Sequence, residues 1–124
     1  MSKVPKKHQS LIDLANKPTD AKKFDTNKAP ISLIPTSAIL EEAKVLAFGA
    51  GKYDKHNWRN GLEFSRVIDA ALRHTLALTE GEDIDPESGL LHAAHARCCL
   101  AFLIEYYNTH PELDDRYKNE KESK

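Results

Sequence analysis

No stretch of this 124-residue chain is apolar for long enough to cross a membrane, and its charges favour neither sign. A spanning helix needs roughly 20 consecutive apolar residues, so no membrane partner is expected. A formal net charge of -1 argues against a dedicated binder of nucleic-acid polymers, which would usually be basic. It leaves small anionic ligands open, because these need only a local cluster of cations. Cysteine is confined to the adjacent pair Cys98 and Cys99. Neighbours on a helix point roughly 100° apart and do not bridge easily, so both read as reduced core residues. The basic N-terminus MSKVPKKHQS has no apolar core behind it, so no signal peptide is expected and the location reads as cytoplasmic. The sequence also lacks internal repeats, a glycine-rich phosphate loop, a serine nucleophile elbow and a cysteine-nucleophile signature. It has no adjacent His-Asp pair, which weighs against a phosphohydrolase of that type.

What is present is helical. The expected fold is all-α: a small bundle of three main helices, with a short extended N-terminal segment and disordered tails. Residues 1–28 are rich in Lys, Asp, Asn and Thr and read as a largely disordered arm, with at most a helical turn at SLIDLA. Residues 29–110 form the folded, nucleotide-binding domain of this reading, and 111–124 a solvated tail. The proline-bounded APISLIP reads as extended. A first helix follows Pro35, with Thr36 or Ser37 as N-cap and Gly49 and Gly51 at its end. A second runs from about Glu63 to Thr79, its core face marked by Phe64, Val67, Ile68 and Ala71. A third starts at Asp85-Pro86, with Asp85 as N-cap and Pro86 in the first turn, and runs to about Asn108. It is apolar nearly all round, which predicts burial at the centre of the fold or in a homo-oligomer.

Three clusters could carry chemistry. In GEDIDPESG, Glu82 and Asp85 could offer carboxylates to a hard cation, with Glu87 nearby; the plain alternative is a capped helix start beside solvated acids. His92 and His95 lie on adjacent turns of one helix face. A His-x-x-His pair can ligate zinc, with His74 as the obvious recruit, but histidines bonded to the acidic turn are the simpler reading. Either could also hold a phosphate or move a proton. Arg73 could pair with Asp69 or reach a phosphate. The loop KYDKHNWRNG gathers Lys52, Tyr53, His56, Asn57, Trp58 and Arg59. Trp58 could stack on a nucleobase while cations hold phosphate, or it could plug the bundle end.

The ordered series KFDTNKAPISLIP, LEEAKVLAFGAGKYDKHNWRNG, DAALRH and GEDIDPESGLLHAAHA resembles the phage dATP/dGTP diphosphohydrolase N-terminal family over about residues 22–105. The resemblance implies a nucleotide pyrophosphohydrolase, cleaving a purine dNTP to monophosphate and pyrophosphate with magnesium, or manganese, in the host cytoplasm. Glu82, Asp85 and Glu87 would then hold the metal. Lys52, Arg59 and Arg73 would hold phosphate, with Tyr53, Asn57 and Trp58 at the nucleotide. His74, His92 and His95 would orient groups or assist proton transfer. Glu82-x-x-Asp85 is also similar to one acidic arm of the all-α NTP pyrophosphatases. The other arm, Glu-Glu-x-x-Glu, is not matched, since Glu41-Glu42 is followed by Val45 where its last carboxylate should stand. The rival expectation is a phage sponge that sequesters a host signalling nucleotide without cutting it.

Overall fold

Helical periodicity and turn chemistry account for the elements of the computed structural model, which describes residues 6–15 and 27–119. The main helices are Lys6–Ala15 (α1), Thr36–Lys52 (α2), Phe64–Thr79 (α3) and His92–Thr109 (α4). The class is all-α as expected, but among the described residues there are four main helices, not three. The additional one, α1, lies within the arm expected to be disordered. Leu11, Ile12, Leu14 and Ala15 recur at helical spacing there, and Gln9 Nε2 donates to Asp13 Oδ1 at 3.2 Å across one turn. The helical turn expected at SLIDLA is the second half of this helix; the polar average of the arm concealed its full length. The rest of the arm's disorder reading, at residues 1–5 and 16–26, lies outside the described residues.

The chain divides into two units, Met1–Thr36 and Ser37–Lys124. In the first, Gln9 Nε2 also donates to the Asn27 carbonyl at 3.1 Å. The segment APISLIP, expected to be extended, instead contains a 3-10 turn at Ile31–Leu33. Ile34 N–H closes it on the Ile31 carbonyl at 3.0 Å.

In the second unit α3 and α4 form an antiparallel hairpin. Phe64, at the start of α3, meets Tyr106 near the end of α4, and His74, late in α3, meets His92 at the start of α4. Phe64, Val67 and Tyr106 form one buried cluster, with Trp58, Ile68, Phe102 and Leu113 packed round it. Val45 of α2 forms a second cluster with Ala94 and Cys98 of α4. Glu42 meets Arg97 and Phe48 meets His95, so α2 runs antiparallel to α4. α2 runs past Gly49 and Gly51 to Lys52. Each glycine weakens a helix by roughly 1 kcal/mol relative to alanine, which does not by itself end one.

The start of α4 departs most from expectation. Asp85-Pro86 opens a turn rather than the helix, which begins at His92. Asp85 Oδ1 accepts the Glu87 N–H at 2.9 Å. The Gly89 N–H bonds the Asp85 carbonyl at 2.7 Å, and the Asp85 N–H bonds the Leu90 carbonyl at 2.8 Å. Gly89 takes a φ of 72°, a conformation that suits glycine, and Ile84 pairs with Leu91 in an antiparallel bridge. Asp and Pro favour helix starts and turns alike. The left-handed glycine and the bridge decide for the turn.

The far end of the hairpin is held by residues just beyond α4. Pro111–Leu113 forms a 3-10 turn. Asp115 then accepts the N–H of Ser65 at 2.8 Å and also its hydroxyl. Glu63, the N-cap of α3, makes no side-chain cap bond, so the carboxylate of Asp115 serves the free amides there. Gly61 allows the close approach of this segment. Its φ is 97°, and a Cβ there would stand 2.5 Å from Leu113 Cδ1 and 3.2 Å from the His110 ring.

Candidate functional site

The turn between α3 and α4 is knit by its own backbone. The Glu82 N–H bonds the Ala77 carbonyl at 3.0 Å, and the His92 N–H bonds the Asp83 carbonyl at 2.9 Å. The side chains of Glu82 and Asp85 are therefore available to the histidines. His92 Nε2 lies 2.7 Å from Glu82 Oε1. An ionised carboxylate only accepts, so His92 donates from Nε2, and in the neutral ring its Nδ1 carries the lone pair. That Nδ1 lies 2.9 Å from His74 Nδ1. His95 stacks on His74, with ring centroids 4.6 Å apart and planes 9° from parallel. Its Nε2 lies 2.7 Å from Ser88 Oγ and 3.5 Å from Asp85 Oδ2.

One ligand atom each from His74, Asp85 and His92 lie within 4.8 Å of one another, a plausible metal-binding group. The side chain of Asp85 is only 16% exposed. Burial lowers the pKa of His74, and the neighbouring His95 lowers it further, while Asp85 pulls the other way. Burial likewise lowers that of His95 against the pull of Asp85. Both rings are thus held toward the neutral form that offers a lone pair to a cation.

Of the residues singled out in the sequence, His74, His92, His95, Glu82 and Asp85 come together here. Glu87 stands at the rim, its carboxylate 3.6 Å from Lys52 Nζ. Lys52 lies over the Phe48 ring at 5.5 Å, and Phe48 meets the edge of His95 at 6.4 Å. Arg73 is exposed beside His74, and among the described residues it makes no ion pair with Asp69. Tyr53 is exposed beside Lys52. Glu42, from the unmatched Glu41-Glu42 arm, is bonded by Arg97 Nε at 3.1 Å.

The loop at Asn57–Asn60 stands elsewhere. Trp58 stacks on Phe102 at 4.6 Å, and its carbonyl accepts the hydroxyl of the fully buried Tyr106. Phe102 is ten residues beyond His92 on α4, about 15 Å along the axis. Arg59 covers the Trp58 ring at 4.4 Å, bonds His56 Nδ1 at 2.8 Å and approaches Glu105 at 3.9 Å. His56 adopts a left-handed backbone there, with φ 63°. The cysteines are free: Cys98 is buried, which pushes its thiol up to about 12, and Cys99 is half-buried.

Ser88 and Phe48 were not singled out in the sequence, although both touch His95. Ser88 precedes His95 by seven residues, a helical spacing, but it sits in the turn, so helix periodicity does not identify it. Nothing in the sequence marks Phe48.

A model of the family described as "dATP/dGTP diphosphohydrolase, N-terminal" matches residues 18–116. A protein of Salmonella phage PMBT28 named dATP/dGTP diphosphohydrolase is 48% identical over 94 residues, covering 76% of this chain and 32% of its own length. The chain thus spans about a third of that relative. No solved structure matches it. The family match extends over both the acidic turn and the histidine cluster, and on it the chain belongs to the dATP/dGTP diphosphohydrolase N-terminal family.

Proposed function

We propose that this domain binds a purine deoxynucleoside triphosphate beside the His74–Asp85–His92 cluster and hydrolyses it to the monophosphate and pyrophosphate. The observation carrying this reading is the grouping of those three ligand atoms within 4.8 Å, in a chain of this family and similar to a protein named dATP/dGTP diphosphohydrolase. Lys52 and Arg73 flank the cluster and would hold phosphate; an exposed guanidinium fork suits phosphate oxygens. A divalent ion, magnesium or manganese, would accompany the triphosphate and offset the charge that develops as the bond breaks. Glu82 and Asp85 would serve that chemistry by orienting imidazoles and binding cation. His95, held by Ser88 and stacked on His74, is placed to hold or pass a proton. Trp58, Arg59 and Asn57 stand apart, so base recognition would fall to Tyr53 and the rim of the turn.

A second reading has its own support. Glu42 is bonded to Arg97, so the second acidic arm of a multi-metal hydrolase is not assembled. On this reading the domain recognises and sequesters a nucleotide without cutting it. The test is to incubate the protein with each dNTP and magnesium or manganese, denature it, and analyse what returns. Monophosphate with pyrophosphate supports hydrolysis, and intact bound ligand supports sequestration. A protein that neither cuts nor retains any nucleotide removes both.

Self-association belongs to the same proposal. α3 exposes Leu72 and Leu76 one turn apart, and α4 exposes Leu100, Ile104 and Tyr107. A second copy of the chain would cover such surfaces, as small cores often require. Light scattering on the purified protein checks this; a monomer at all concentrations refutes it.

A further inference from the structure

We propose that His74, His92 and Asp85 form a resident site for a nitrogen-preferring divalent transition ion of the zinc class, with Glu82 as its orienting partner. The inference adds to the functional reading a resident ion distinct from the magnesium or manganese that would accompany the triphosphate; it stands on side-chain geometry and does not need nucleotide cleavage.

Four observations carry it. The ligand atoms come from the end of α3, the acidic turn and the start of α4, and they lie within 4.8 Å of one another. Two are imidazole nitrogens facing each other at 2.9 Å. Ligands at zinc-nitrogen distance on a tetrahedral ion stand about 3.3 Å apart, so a small opening of this pair admits the ion. His92 is already oriented: its Nε2 is bonded to the Glu82 carboxylate at 2.7 Å, which turns the Nδ1 lone pair toward the site and His74. A carboxylate on the far nitrogen is how metal-binding histidines are commonly fixed. Finally, the Asp85 carboxylate is largely buried, and its Oδ2 lies 3.5 Å from His95 Nε2, on the histidine side of the turn.

The donor set decides the ion class. Two imidazoles and one carboxylate suit zinc and its first-row neighbours, whereas magnesium wants an octahedron of oxygens. Three protein ligands leave one position for water or a phosphate oxygen. Binding requires His74 to carry its proton on Nε2, so that Nδ1 offers a lone pair; a shift of tautomer meets this without net charge change on the ring.

Cobalt(II) is the probe, because its visible absorption reports nitrogen ligation and low coordination number directly. The full chain, stripped with a chelator, should develop intense visible bands that saturate at one cobalt per chain. Zinc should abolish them, and excess magnesium should not. His74→Ala and His92→Ala should lose the bands while circular dichroism keeps its helical signal. Glu82→Gln, altering an exposed side chain, guards against variants that fail to fold; it should weaken binding by about 10–100-fold. Glu63→Gln, at the other end of α3, should bind as the parent does. Absence of stoichiometric bands in the parent, displacement by magnesium, or bands retained in the double His74→Ala, His92→Ala variant would overturn the site. An unweakened Glu82→Gln would overturn the part given to Glu82. Loss of dNTP hydrolysis alone, with cobalt bound as described, defeats the functional reading and leaves this one standing.

Discussion

Replacing Tyr106 by phenylalanine separates the structural end of the hairpin from the candidate site. Tyr106 is 0% exposed, and its ring contacts those of Trp58, Phe64, Phe102 and His110. Phenylalanine keeps all of these. Only the hydroxyl is lost, with its bond to the Trp58 carbonyl. That carbonyl also accepts the Gly61 N–H at 3.1 Å, so it is not orphaned. The cost is therefore that of one ordinary bond, about 0.5–1.5 kcal/mol, rather than the larger penalty of a stranded buried acceptor. With a urea dependence of about 1–3 kcal/mol/M, the unfolding midpoint should fall by roughly 0.5 M at unchanged slope. Tyr106→Ala, which empties the cluster, should cost about 3–5 kcal/mol. Cobalt binding by Tyr106→Phe should equal that of the parent. A phenylalanine variant as stable as the parent would refute the assignment of this bond. A loss above roughly 3 kcal/mol would refute the view that Gly61 keeps the carbonyl satisfied.

Gly61→Ala should be worse than its size suggests, since φ 97° is strained for alanine and its Cβ would meet Leu113; about 1–3 kcal/mol from the backbone alone is expected, read as a lower melting temperature. The docking of residues 110–115 should depend on pH in two opposed ways. Bonds from the hydroxyl and amide of Ser65 lower the pKa of Asp115, so its contribution is present above its ordinary 3.8 and fades as pH falls through the lower folded value. The Arg59 carbonyl first, and then Glu112, raise that of His110, so its contribution is full below 6.5 and is lost as pH rises through the higher folded value. The Ser65 amide resonance should report strongest docking between these limits, and a docking signal that is flat with pH sinks the argument. Cys98, its thiol pushed up to about 12 by burial, should resist a thiol reagent in the native protein and react on unfolding; rapid native labelling at Cys98, located by peptide mapping, would contradict that burial.

The parts of the fold that rest on periodicity were legible in the sequence. The face Phe64, Val67 and Ala71 is the buried face of α3. α1 was read only as a turn at SLIDLA, because composition was averaged over the arm, whereas the described helix there spans ten residues. Trp58 was ambiguous for a different reason. A tryptophan beside cations in a polar loop has the same local sequence whether it meets a base or a core. What distinguishes the two is Phe102 and Tyr106, one turn apart on a helix more than 40 positions away, which take up the ring and the carbonyl of Trp58. The residue types of the candidate site could be read, but not which nitrogen faces which partner. His92 and His95 are three positions apart, and only the register of the α3–α4 hairpin puts His92 against both His74 and Glu82 while His95 stacks and bonds Ser88.

That register follows from where α4 begins. Had Asp85 capped the helix, its carboxylate would have been occupied by first-turn amides. His92 would then have stood about two turns further along, some 10 Å from the helix entrance. Instead the chain turns at Asp85–Gly89, pairs Ile84 with Leu91, and enters α4 at His92, with the Asp83 carbonyl taking its amide. The turn's backbone bonds fold Glu82 and Asp85 back over the end of α3, where His74 waits. One oxygen of Asp85 holds the turn through the Glu87 amide, and the other faces the histidines. The same acidic residues that look in sequence like a helix cap thus act as the bracket of a histidine cluster, because Gly89 can adopt φ 72° and close the loop on itself.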